Sequence, residues 1–224
     1  MATTSPRTLT GQVLEALRSD VLAGRLAPGS RLRLLELTER FSVSQSVVRE
    51  ALTRLSEQRL VVALPQQGFR VASLSPDDLV ELTDARRQIE GLVLRLSVER
   101  GDVAWESLVV GTHHQLERTP MYGEAGEPSE EWMEAHEAFH AALLSGCGNA
   151  RLVKVASGLR ECAALYRIWS VPLGRGDERN LAAEHRGLLE AALARDADIA
   201  AGRLHSHIQR TTDALLAAAA DEQA

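Results

Sequence analysis

Ser75-Pro76-Asp77-Asp78 divides this chain into two parts that follow different rules. Serine can cap a helix, proline is favoured at its first position, and acids in the first turn suit the positive end of the helix dipole. Ahead of this start lie the chain's two short β runs. Behind it, apolar residues recur only at helical spacing, broken by Gly, Pro and a charged pair, and no β pattern intrudes. The expected fold is mainly α, with a first domain over residues 1–74 and a second over 75–224. A length of 224 residues suits two modest domains, each able to bury a core.

Charge follows the same division. Residues 1–74 hold ten Arg against six Asp or Glu, a balance of +4, while the remainder holds fifteen basic and twenty-five acidic residues, a balance of -10. Only the first domain is suited to a polyanion.

In the first domain, Leu9, Val13, Leu14, Leu17, Val21 and Leu22 lie at helical spacing, with Thr8 or Thr10 available as cap. The helix ends near Gly24, and Leu26-Ala27-Pro28-Gly29 is a turn signal. A second helix is expected over Leu32 to Phe41 and a third over Gln45 to Gln58, separated by Ser42-Val43-Ser44: a helix-turn-helix. Leu60 to Leu64 and Phe69 to Val71 read as β runs around the turn Pro65-Gln66-Gln67-Gly68, forming a wing. The later helix of such a pair enters the major groove N-terminus first, which makes Ser44, Gln45, Ser46 and Arg49 candidates to reach bases or phosphates. Arg31, Arg33 and Arg54 are candidates for phosphate positioning, against the plainer role of solvated charges. Gly68, read as the tip of the wing, would let the backbone lie close to a sugar-phosphate strand.

The second domain divides into six helical segments at about 76–100, 102–118, 129–145, 149–169, 177–194 and 197–220, an antiparallel bundle. Its third segment carries His136-Glu137-Ala138-Phe139-His140. Taken alone, H-E-x-x-H is the pattern of a zinc peptidase, in which two imidazoles hold the metal and the glutamate acts as base. His185 on the fifth segment and His207 on the sixth add two candidate ligands, and bundles build metal sites from inward-facing residues of neighbouring helices. A lone histidine on an apolar face is usually a core residue, but four on three segments favour a metal. His205 cannot share a face with His207, and His113-His114 has no partner at ligand spacing, so these three read as surface or core residues. Cys147 and Cys162 read as ordinary thiols of a reducing compartment. With no secretory pattern at Met1 to Leu9 and no apolar run of about 18 residues, a cytoplasmic location is expected, with no membrane association.

The first domain resembles the GntR-type winged-helix transcription regulators. The match runs through Gly24-Arg25-Leu26-Ala27-Pro28-Gly29-Ser30-Arg31-Leu32, Val43-Ser44, Val48-Arg49-Glu50-Ala51-Leu52, Leu55, Leu60-Val61 and Gly68. It departs at Gln45, where the family usually has Arg, at Val47 for Pro, and at Arg59 for Gly. An amide at Gln45 cannot reproduce a guanidinium's contacts to guanine, which implies a different operator. Ala85-Arg86-Arg87-Gln88-Ile89-Glu90, Phe139-His140-Ala141-Ala142-Leu143 with Asn149, Glu184-His185, and Asp196 to His207-Ile208 resemble the FCD ligand-binding domain of the FadR-like subgroup.

That resemblance implies a divalent metal with a small organic acid beside it, and maps the metal positions onto His136, His140, His185 and His207. His136 stands where the family usually has Asp. Four imidazoles would favour zinc, nickel or copper, with zinc or nickel expected first; alternatively three histidines bind and water or ligand completes the sphere, or no metal is used. Arg86 matches an arginine that faces the family's pocket and could fork onto a carboxylate effector, against the alternative of an i,i+4 salt bridge to Glu90.

The leading expectation is a ligand-responsive, homodimeric transcription regulator, not an enzyme, that binds a two-fold operator in double-stranded DNA and responds to a small carboxylate. A zinc metallopeptidase using Glu137 is the competing reading, weakened because His185 and His207 would close the position a catalytic water needs. A structural metal-binding bundle is the third.

Overall fold

The computed structural model describes residues 8–73, 75–123, 129–170 and 180–221, with the side chains of 167–170 and 218–221 excepted. Residues 1–7, residues 124–128 of the expected Pro120–Pro128 break, the expected break at Pro172 to Gly176, and the expected helical residues 177–179 lie outside the described residues. Contacts divide the chain into two compact units, Met1–Ser75 and Pro76–Ala224.

In the first unit, helix α1 spans Leu9–Leu22, α2 Leu34–Phe41 and α3 Gln45–Glu57. Thr8 caps α1, its Oγ1 accepting from the Gly11 amide at 3.1 Å. Val13, Leu17 and Val21 of α1 pack with Val48, Leu52 and Leu55 of α3, all buried, and each such side chain contributes about 1.5 to 3 kcal/mol by leaving water. Buried Asp20 of α1 ties the turn that follows its helix to the last turn of α2, by ion pairs to Arg25 at 2.7 Å and Arg40 at 2.6 Å.

Three strands form the wing: β1 Arg31–Leu32, β2 Val61–Leu64 and β3 Gly68–Val71, in the order β1-β3-β2. Two expectations are corrected here. The second helix begins at Leu34 rather than Leu32, because Arg31 and Leu32 pair with Arg70 and Phe69 and bury Leu32 beneath the sheet. Gly68 is not the tip of the wing. It pairs with Leu64 as the first residue of β3, so the turn is Pro65–Gln67, with Gln66 at φ 59° and Gly68 itself at φ 86°.

The second unit contains α4 Pro76–Arg100, α5 Val103–Arg118, α6 Glu130–Ser145, α7 Ala150–Ser170, α8 Leu181–Leu193 and α9 Ala197–Asp221. Asp102, Ser129 and Asn180 cap α5, α6 and α8 through side-chain oxygens, so the helices begin one or more residues inside the expected bounds. The long helices α4 and α9 pack along each other, α7 lies against both, and α5 packs between α6 and α8. Val93, Leu94, Val109, Phe139, Leu143, Leu188 and Leu204 fill the centre. Trp105 seals one end, its indole N–H donating to the Ala142 carbonyl at 2.9 Å and its ring lying under the Arg195 guanidinium. No described helix is long and apolar enough to cross a membrane.

Candidate functional site

On the first unit, Ser44 stands at the N-cap of α3, and Ser44, Gln45, Ser46 and Arg49 are all exposed around its first turns. The Ser44 and Ser46 hydroxyls lie 2.8 Å apart. A helix start with no acid in its first turn and no capping bond from the Ser44 side chain suits phosphate. Arg31 is exposed on β1. Arg33 and Arg54 are exposed but engaged, Arg33 with Glu36 at 2.8 Å and Arg54 with Glu50 at 2.6 Å. Such surface pairs are worth little, about 0 to 1 kcal/mol, and do not keep a guanidinium from a phosphate.

In the second unit, α6 presents His136 and His140, α8 presents His185 and α9 presents His207, and all four are buried. Their ligand atoms all lie within 4.8 Å of one another. The ring centroids of His136 and His140 are 4.5 Å apart, and those of His185 and His207 4.9 Å. An ion with bonds of about 2.0 to 2.1 Å would gather such nitrogens with side-chain shifts below an ångström or so. Burial, followed by the neighbouring charges of His136, Arg160, His207 and His185, holds the His140 pKa well below its ordinary value. The shift favours the neutral imidazole, the form that donates a lone pair to a metal. Its Nε2 is buried with no hydrogen-bond partner among the described residues. An orphaned buried nitrogen inside a set of imidazoles is what a divalent N-ligated ion would satisfy, so the residues fit the metal.

The surroundings of the cluster orient it. Glu184 of α8 accepts from His207 Nδ1 at 2.8 Å and from Arg210 at 3.1 Å. A carboxylate on one imidazole nitrogen fixes the tautomer and leaves Nε2 as the lone-pair atom. Trp132, one turn before His136, stacks on its ring at 4.9 Å and 27°. Of the histidines expected to lie apart, His113 is buried with its edge against Phe139, its pKa lowered chiefly by burial; His114 is exposed, and His205 is half-buried against Gly91.

Arg86 is buried and bonded to Glu90, Nε to Oε1 at 2.6 Å, which is the i,i+4 pair that sequence spacing allowed. A second buried arginine, Arg160 of α7, reaches Glu90 and Glu137. Sequence reading passed over Arg160 and gave Glu184 no role. Arg160 had a signal: it lies at i+4 from Ala156 and i-3 from Ala163, both buried, so it interrupts the apolar stripe of its own helix. Glu184 had none, because an acid next to His185 in sequence faces His207 only once α8 and α9 pack.

A winged helix-turn-helix joined in one chain to a helical bundle with a buried histidine centre defines a class: DNA-binding regulators with a ligand-receiving domain. Comparison with known proteins gives the family. The gntR family of bacterial regulatory proteins matches residues 9–71 and the FCD domain matches residues 81–210; the chain belongs to the GntR family, in its FCD-containing branch. It is 34% identical over 199 residues to the HTH-type transcriptional repressor GlaR of Escherichia coli K12, covering 86% of this chain and 89% of that one. It is 38% identical over 207 residues to the HTH-type transcriptional regulator BphR of Paraburkholderia xenovorans LB400, covering 91% and 83%. Among solved structures, E. coli McbR/YncC shares the fold at a TM-score of 0.76 and 23% identity, over 93% of this chain and 97% of that one. The chain is a ligand-responsive DNA-binding transcription regulator, and nothing in these comparisons supports the metallopeptidase reading.

Proposed function

We propose that the bundle senses a small carboxylate beside a divalent metal held by His136, His140, His185 and His207, and thereby controls operator binding by the winged helix. The observation that carries this is the convergence of four buried imidazoles from three helices, one of them, His140, with an Nε2 that has no hydrogen-bond partner among the described residues. The absence of a carboxylate among the four favours zinc or nickel over magnesium or calcium. When bound, the ion supplies a Lewis-acidic point for an anionic ligand. The protein's own contribution is to favour the neutral form of His140, to orient His207 through Glu184, and to offer a carboxylate the guanidinium of Arg160, with Arg86 holding Glu90 behind it.

At the other unit, Ser44, Gln45, Ser46 and Arg49 meet the major groove while Arg31, Arg33, Arg54 and the backbone at Gly68 meet the sugar-phosphate strands. A homodimer in the cytoplasm would engage a two-fold site and fix its half-site spacing. Effector binding acts only through a difference in affinity between two arrangements of the protein.

The test combines elemental analysis of the purified protein with selection of bound sequences from random duplex DNA. The expected result is about one zinc or nickel per chain, lost in His140→Ala and His185→Ala, and a selected site with two-fold symmetry. Equal metal content in parent and variants removes the metal centre, and an asymmetric site removes the dimeric operator.

A further inference from the structure

Glu137 lies between two candidate ligands in sequence, yet its carboxylate forks onto α7. Arg160 Nε donates to Oε1 at 3.2 Å and Nη2 to Oε2 at 2.8 Å. The arginine is 1% exposed and the glutamate 45%. On its other side Arg160 Nη1 lies 3.5 Å from Glu90, which is fully enclosed and also bonded by Arg86. Through Glu137, Arg160 is tied to the helix that carries His136 and His140.

We propose that Glu137 is an internal stand-in for the effector's carboxylate, held on Arg160 in the ligand-free protein and displaced when an anionic effector binds. The inference rests on the reading of the bundle as a carboxylate sensor. Three observations lead to it. The two-bond contact of Glu137 with Arg160 is the one a ligand carboxylate would make. Arg160 already stands between two carboxylates, Glu90 and Glu137, so a third brought onto it without a departure would crowd a further negative charge against enclosed Glu90. The two resident anions also differ in how they can leave. Glu90 has no exposed surface, so releasing it requires opening the helix packing, whereas Glu137 already meets water along nearly half its side chain. Arg160 is therefore the exchangeable cation, and Arg86 stays locked to Glu90. This gives the glutamate of the H-E-x-x-H pattern a task that is not catalysis: it sets the threshold concentration of effector.

Competition by a tethered anion lowers apparent affinity by the fraction of molecules in which the fork is open. Removing its charge should tighten carboxylate binding by about tenfold or more, the gain expected where the open arrangement is at most about a tenth of the population. The experiment titrates zinc-loaded full-length protein calorimetrically with acetate, succinate and citrate, using neutral succinamide as control. The parent is compared with Glu137→Gln, Glu137→Ala and the double variant Glu137→Gln/Arg160→Lys, all matched for zinc content and melting temperature. The expected result is tighter binding of at least one carboxylate in both single variants, none for succinamide, and loss of the gain in the double variant, because an ammonium cannot form the fork. Equal or weaker carboxylate binding in both Glu137 variants overturns the exchange and leaves carboxylate sensing standing. Failure of parent and variants alike to bind any of the three acids overturns the sensing reading and the exchange with it.

Discussion

A buried nitrogen with no hydrogen-bond partner costs stability unless some ligand occupies it, and among the described residues His140 Nε2 is such an atom. Its proposed occupant makes a quantitative demand. A ligand that binds only the folded state stabilises it by about 2.7 kcal/mol at a hundred times its dissociation constant. Zinc should therefore raise the melting temperature of the parent protein, and His140→Ala, whose truncated core side chain lowers stability with or without metal, should show no zinc-dependent rise over its own zinc-free value; a zinc-dependent shift as large as the parent's would remove His140 from the site. Glu184→Gln should act more mildly. Glutamine can still accept from His207 Nδ1 but carries no charge, and loss of an outer carboxylate typically weakens metal affinity by about 10- to 100-fold; a competition titration against a fluorescent chelator reads this directly. On the DNA side, Arg49→Ala should weaken operator binding by about 1 to 3 kcal/mol if the side chain reads a base, and relax selectivity at one position of the selected site. A uniform loss across sequences at matched salt would make Arg49 a phosphate contact instead.

At the scale of elements, the ends of helices carry most of the precision. Gly101 precedes the cap of α5, and a Cβ there would meet the Trp105 ring at 2.3 Å and the Ser97 carbonyl at 2.7 Å. Neither the indole, anchored to Ala142, nor the last turn of α4 can retreat without opening the core. Gly101→Ala should therefore destabilise the second unit by about 1 to 3 kcal/mol, as overpacking does, against a shift near zero for Gly111→Ala, where a Cβ meets nothing within 4 Å; thermal unfolding of the two variants decides it. The helices themselves were legible because six amphipathic stretches run long enough to show their period, and Asp102, Ser129 and Asn180 are strong caps. The strand at Arg31–Leu32 was not legible. Two residues hold no period, and their strand character comes entirely from pairing with Arg70 and Phe69, some forty positions away. The same limit hid the position of Gly68, whose pairing with Leu64 depends on register rather than composition. In the bundle, His136 and His140 could be read from their i,i+4 spacing, whereas His185 and His207, single on their helices, joined them only through the resemblance and the general habit of bundles to point ligands inward. The cluster of Arg86, Glu90, Glu137 and Arg160 could be read only in its i,i+4 part, since Arg160 reaches α4 and α6 through helix packing.

Over the whole molecule, the buried imidazoles make stability depend on pH in a fixed direction. Burial lowers the pKa of both His113 and His140 from the ordinary value of 6.5. Between each folded value and about 6.5, the unfolded chain binds more protons than the folded one, so unfolding free energy rises with pH across that window. The contribution is level above about 6.5 and is lost progressively as pH falls below it. A metal held by the imidazoles adds to this slope, because acid competes with it for the same lone pairs. Melting temperature measured from pH 7.5 to 5.5 should fall in the chelator-treated protein, and fall more steeply in the zinc-loaded one, so that the two curves approach each other at the acid end. His113→Phe separates the two sources. It removes a titrating group that lies against Phe139 but is not among the four clustered histidines, and should flatten the chelator-treated curve while leaving the difference between zinc-loaded and zinc-free protein intact. Curves for zinc-loaded and zinc-free parent that run parallel over the whole range would show that no imidazole of the cluster holds the ion.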